Sequence, residues 1–117
     1  MNDAAAEVVI RLALWIRSYD RRASDAVAAA VATRLYYAAC HLQILQTHRS
    51  NGVISSDIAD RRVDVLDDRV CKTLAMLNVP FTFEHCLDPR GQAPYVIFRP
   101  TRCRRLDLPS RFGIKPA

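Results

Sequence analysis

The stretch from residue 53 to residue 99, VISSDIADRRVDVLDDRVCKTLAMLNVPFTFEHCLDPRGQAPYVIFR, limits most sharply what this chain can fold into. Its apolar spacing changes from helical to alternating at one proline. Val53 and Ile54 allow a very short strand. Ser55 and Ser56 then offer N-caps to a helix running to about Arg62. Val63, Asp64 and Val65 read as a turn. A second helix is expected from about Leu66 to Asn78, with Val70, Leu74 and Leu77 facing inward, and Pro80 stops it. Phe81 to Leu87 alternates as a strand does, with Phe81, Phe83, His85 and Leu87 on one face. Asp88 to Gly91 has turn chemistry, and Tyr95 to Phe98 forms the return strand. The expected order is helix, turn, helix, hairpin.

Two further helices are expected upstream. In residues 3 to 19, Val8, Val9, Leu12, Trp15, Ile16 and Tyr19 recur three and four apart on one face. Asn2 or Asp3 can cap the start. The segment SYDRRAS breaks the pattern. Residues 24 to 47 read as a longer helix, with Ser24 as N-cap and Asp25 in a first turn that favours a carboxylate. Its alanine-rich first half lets another helix approach closely. Leu35, Ala38, Ala39, Leu42 and Leu45 continue the apolar stripe, flanked by Tyr36, Tyr37 and Ile44. Gly52 is a good breaker after its end. Residues 3–47 are also where a homodimer contact is expected, since isologous pairs are the commonest oligomers.

These elements imply one domain over residues 1–117: a helical pair at 1–50, a core at 53–99 and an extended basic tail at 100–117. A chain of 117 residues can bury a hydrophobic core without staples. No apolar run reaches the roughly 18 residues that span a bilayer, so no membrane partner is expected. The first residues carry two acids and no early Lys or Arg, unlike a secretory signal, and a cytoplasmic location is expected. Cys40, Cys71, Cys86 and Cys103 include no C-x-x-C pair, and His85, Cys86 and Cys103 match no standard zinc spacing. Neither metal nor other cofactor is expected.

Charge is unevenly distributed. Residues 1–50 hold six Arg against four acids, and residues 51–80 hold four bases against five acids. Residues 81–117 hold seven bases against three acids, so most of the net +5 lies on the hairpin and tail. A basic tail of this kind is the electrostatic footprint of a nucleic-acid partner. Catalysis has little support: the chain has no Gly-rich phosphate loop, no HExxH and no nucleophile elbow. Asp67 and Asp68 are adjacent, so on a helix they point apart and make a poor acid–base pair. Cys71 beside Lys72 reads as a thiol half-packed on the core. The chain is expected not to be an enzyme.

The span from Ser55 to Phe98 resembles the winged-helix core of bacterial regulators of the multiple-antibiotic-resistance (MarR) type. The resemblance rests on Ser56, Ile58 and Ala59 in a serine-capped helix, on Val70, Leu74 and Leu77 in the helix after it, and on Asp88, Pro89 and Arg90 before an apolar strand. It covers about 45 residues, and the closing pair of C-terminal helices of that family is missing. It implies a mainly α (α+β) fold: a winged helix-turn-helix with two N-terminal helices, a C-terminal β-hairpin and an extended basic tail. It also implies dimeric binding of double-stranded DNA in transcription regulation, with Arg90 in the minor groove.

On that reading Arg61, Arg62, Arg69 and Lys72 lie nearest the major groove, and Arg99, Arg102, Arg104 and Arg105 meet phosphates. Asp64, Asp67 and Asp68 work against it, because three acids at the start of a groove-reading helix repel a polyanion. They support a second reading, a small protein-binding adaptor or inhibitor, of the kind a mobile genetic element carries, which engages a basic partner surface through this acidic helix. The two readings separate on whether these acids project outward or are tied up in local ion pairs.

Overall fold

The computed structural model describes residues 2–86, 95–101 and 114–116. Three helices, α1 (Asp3–Tyr19), α2 (Asp25–Ser50) and α3 (Ser56–Leu74), precede strands β1 (Phe81–Cys86), β2 (Tyr95–Pro100) and β3 (Ile114–Pro116). The chain is mainly helical with a small antiparallel strand pair, as its pattern of spacings implies.

Each helix starts on a side chain that accepts from an otherwise unpaired backbone N–H. The Ala5 N–H donates to Asn2 Oδ1 at 2.8 Å, the Val27 N–H to Ser24 Oγ at 3.1 Å, and the Ile58 N–H to Ser55 Oγ at 3.3 Å. At the end of α2, Gly52 adopts a φ of +70°, a left-handed conformation that glycine takes without the Cβ penalty. The Val53 N–H then returns to the His48 carbonyl at 2.8 Å. Val53 and Ile54 form no strand; they belong to the link into α3.

The region from Ser56 to Leu74 differs from the expectation. It is one continuous helix, with no turn at Val63, Asp64 and Val65 and no second helix reaching Asn78. The physical reason is an inward stripe that runs through the supposed turn without a break. Ala59, Leu66, Val70 and Thr73 are buried, and half-buried Val63 fills the gap between Ala59 and Leu66. The segment contains neither Gly nor Pro, and burial of a stripe outweighs the small helix penalty of two valines. Asp64, Asp67 and Asp68 are therefore not at a helix start. Asp57 holds the first-turn position.

α1 and α3 both pack on α2. Ala28, Val31, Ala32, Leu35, Ala38, Ala39 and Leu42 are all buried, so the alanine stripe is consumed inside one molecule. Ile10 and Leu14 are exposed on α1.

β1 pairs antiparallel with β2 from Phe81 opposite Pro100 to Cys86 opposite Tyr95, and β3 adds in parallel to β2 from Val96 opposite Ile114. The expected turn at 88–91 lies outside the described residues, as does the tail apart from Thr101 and β3. Aromatic packing joins the strands to α1. The Phe81 and Phe98 rings stack at 4.8 Å, and Trp15 meets Phe98 edge-on at 5.2 Å. Offset stacks and edge-to-face pairs like these add to the area buried.

Candidate functional site

A concavity lies between α2 and α3. It has a volume of about 480 Å³, in the range of small-ligand and peptide clefts. Tyr37 and Ala38 of α2 and Leu66 and Val70 of α3 supply its apolar lining. Arg34 and His41 of α2 and Arg69 and Lys72 of α3 supply its polar lining. The spacing of the two helices explains the grouping. Arg34, Tyr37 and His41 stand three and four apart on α2, as do Leu66, Arg69, Val70 and Thr73 on α3. The Arg34 guanidinium donates to Met76 Sδ at 3.1 Å, which ties α2 to the turn after α3. Arg69 makes no ion pair among the described residues.

Charge on α3 is segregated around the helix. At about 100° per residue, Asp57, Asp60, Asp64 and Asp67 follow one another three and four apart along one flank. Ile58, Arg62 and Arg69 run along the other flank, where Arg69 lines the groove, and Val65 stands between that flank and the outermost line. Asp68 and Lys72 lie on the outermost line and pair at 3.0 Å, with both side chains mostly exposed. Such an exposed i,i+4 pair contributes only about 0.3–0.5 kcal/mol. Val65 is 54% exposed and Ile58 41%, with Tyr37 and Ile44 of α2 also open to solvent.

Of the residues singled out from the sequence, Arg61, Arg62, Arg69 and Lys72 are all exposed on α3, and Arg69 and Lys72 line the groove. Asp64 and Asp68 are exposed, and Asp67 is half-buried. Asp68 has a local ion pair of the kind the DNA reading requires, with Lys72, while Asp64 has none among the described residues. Arg99 stands on β2 and donates to Glu84 Oε1 on β1 at 3.3 Å, a diagonal cross-strand pair. Arg90, Arg102, Arg104 and Arg105 lie outside the described residues.

No function was legible in the sequence for Arg34, Tyr37 and His41, because the apolar stripe of α2 suits either core or a dimer seam, with Tyr37 only flanking it. The available signal was a polar and aromatic stripe on an otherwise alanine-rich helix. Sequence reasoning missed Asp57 and Asp60, which join the acidic flank only when α3 is continuous. Cys71, expected half-packed on the core, is exposed on α3.

Two titrating groups are perturbed. Burial pushes the Asp20 carboxyl up, but hydrogen bonds from the Asn78 N–H and side-chain amide, with further ones from the Val79 and Arg22 N–H groups, outweigh it and hold the carboxyl below its ordinary value. A hydrogen bond with Cys40, then burial, pushes the Tyr36 hydroxyl up. Both groups lie away from the groove lining. Among the described residues no three His, Cys, Asp or Glu side chains come together as metal ligands, and no helix is long and apolar enough to cross a membrane.

No family model, curated protein or solved structure matches this chain.

Proposed function

We propose that this protein is a non-enzymatic protein-binding module whose interaction face is the outer side of α3 together with the groove beside it. One observation carries the reading: α3 holds exposed Val65 and Ile58 among exposed charges of both signs, Asp57, Asp64 and Asp68 with Arg61, Arg62, Arg69 and Lys72. Apolar residues ringed by charge suit a protein surface, which offers both apolar and charged partners. A phosphate backbone offers only negative charge, and the exposed carboxylates of Asp57 and Asp64 oppose it.

The test is Val65→Asp, which puts a charge at the middle of this face without touching the core. A protein complex formed by the wild-type chain, measured by cross-linking and co-purification, should be lost while the far-UV circular dichroism is unchanged. Persistence of that complex in the variant overturns the reading.

A second reading has a specific observation in its favour. Three helices followed by an antiparallel strand pair are compatible with a winged helix in which α2 and α3 would stand in for the two short helices, and Arg61, Arg62, Arg69 and Lys72 are exposed on α3. This supports a DNA-binding regulator. Random duplex DNA retained at physiological salt, and released by Arg69→Glu with Lys72→Glu, favours it over protein binding. In that case Arg102, Arg104 and Arg105 changed together to Ala should flatten the salt slope by roughly one unit per lost phosphate contact.

A further inference from the structure

We infer that the partner of the α3 face is a second copy of this chain, paired helix against helix in antiparallel orientation. The inference rests on the protein-binding reading above and names its partner. Its basis is the arrangement of charge along α3 about the midpoint between Asp64 and Val65. Asp57 and Lys72 are symmetric about that midpoint and opposite in sign, and so are Arg61 and Asp68. The other charged positions follow the same rule, Asp60 against Arg69 and Arg62 against Asp67. Only Asp64 against Val65 departs from it.

Asp57, Arg61, Val65, Asp68 and Lys72 share one exposed line, spaced four, four, three and four apart. Along that line the charge reads minus, plus, neutral, minus, plus. A second α3 turned end for end presents plus, minus, neutral, plus, minus at the same heights. A two-fold axis crossing the helix at its midpoint therefore sets Asp57 beside the partner's Lys72 and Arg61 beside the partner's Asp68, each pair made twice. Exposed Val65 lies at the centre of this contact and Ile58 beside it. An isologous contact must be self-complementary in this way, and parallel pairing would set like charges together.

α3 has 19 residues and so is about 28 Å long, which makes the contact small. Interfaces below roughly 1,200 Å² are transient, and exposed ion pairs are screened by salt. The expected behaviour is weak, reversible dimerisation that rises with protein concentration and falls with added salt.

Charge exchange tests this directly, by sedimentation velocity across a concentration series at low and high salt. Arg61→Asp alone and Asp68→Arg alone should each weaken the dimer about tenfold, because both symmetric pairs become repulsive. An equimolar mixture of the two variants should form a heterodimer, and the double variant a homodimer, each within about twofold of wild type. Asp57→Lys with Lys72→Asp repeats the test at the other pair, and circular dichroism checks that every variant keeps its helices. A wild type that stays monomeric at every concentration overturns the inference. So does a dimer indifferent to the single changes, or a loss that neither the mixture nor the double variant restores. If the wild type is monomeric yet Val65→Asp abolishes capture of a different protein, self-pairing alone has failed. If Val65→Asp affects no protein complex, the protein-binding reading has failed with it.

Discussion

The carboxylate of Asp20 holds the backbone of Asn78 across 58 positions of sequence. Asp20 ends α1 and is only 1% exposed. The Asn78 N–H donates to its Oδ2 at 2.7 Å and the Asn78 side-chain amide to its Oδ1 at 3.2 Å. The link joins the turn between α1 and α2 to the turn between α3 and β1, so it fixes where β1 begins relative to the aromatic cluster on α1.

Removing this carboxylate leaves the Asn78 N–H without its charged acceptor. Asp20→Ala should destabilise the fold by about 1–3 kcal/mol, read from urea denaturation. The pH dependence has a definite sign. The folded carboxyl titrates below its unfolded value, so its contribution is complete above the ordinary carboxylate value of about 3.9 and is lost as pH falls through the folded value. The stability difference between wild type and Asp20→Asn should therefore be flat from pH 5 to pH 8 and shrink below about pH 4. A difference that shrinks instead towards pH 8 would contradict this assignment.

Trp15 is the chain's one tryptophan and lies between α1 and the strands, in contact with Phe81 and Phe98. Its emission therefore reports that junction alone. Phe98 is fully buried, and Phe98→Ala should cost about 3–5 kcal/mol while shifting the folded-state emission to longer wavelength. The Trp15 indole N–H meets no acceptor among the described residues. Trp15→Phe, which deletes that N–H, should cost clearly less than Trp15→Ala in the same denaturation experiment.

Continuity of α3 through Asp64 is tested by proline. In a helix interior Asp64→Pro removes the bond to the Asp60 carbonyl and clashes with it, at a cost of about 3 kcal/mol or more. At a turn between two helices it would be tolerated. Thermal melts with circular dichroism at the helix band should show a marked loss of stability, whereas Asp64→Ala should be neutral or slightly stabilising.

At Gly52 a Cβ would meet nothing within 4 Å, so any cost of adding one is conformational rather than steric with neighbours. Gly52→Ala should destabilise by about 1–2 kcal/mol because of the left-handed φ. Gly52→Asn, better tolerated in that region, should cost less than half as much in the same melts.

The local signals in the sequence were sufficient for much of the fold. Spacing located α1 and α2, Ser24 and Gly52 bounded α2, Ser55 opened α3, and alternation located β1 and β2. These features act within a few residues of chain, through caps, turn conformations and the period of one face. The continuity of α3 was a different matter. Val63, Asp64 and Val65 are weak helix formers, and they stay helical because Val63 packs against a core that no neighbour in sequence reveals. The same holds for Asp20, which reads as one more loop acid until the turn at Asn78 folds back to it. It holds too for Arg34 and His41, which line one groove with Arg69 and Lys72 only when α2 and α3 pack side by side. Local chemistry decided which elements form, and packing between distant segments decided how long α3 runs and which charges meet.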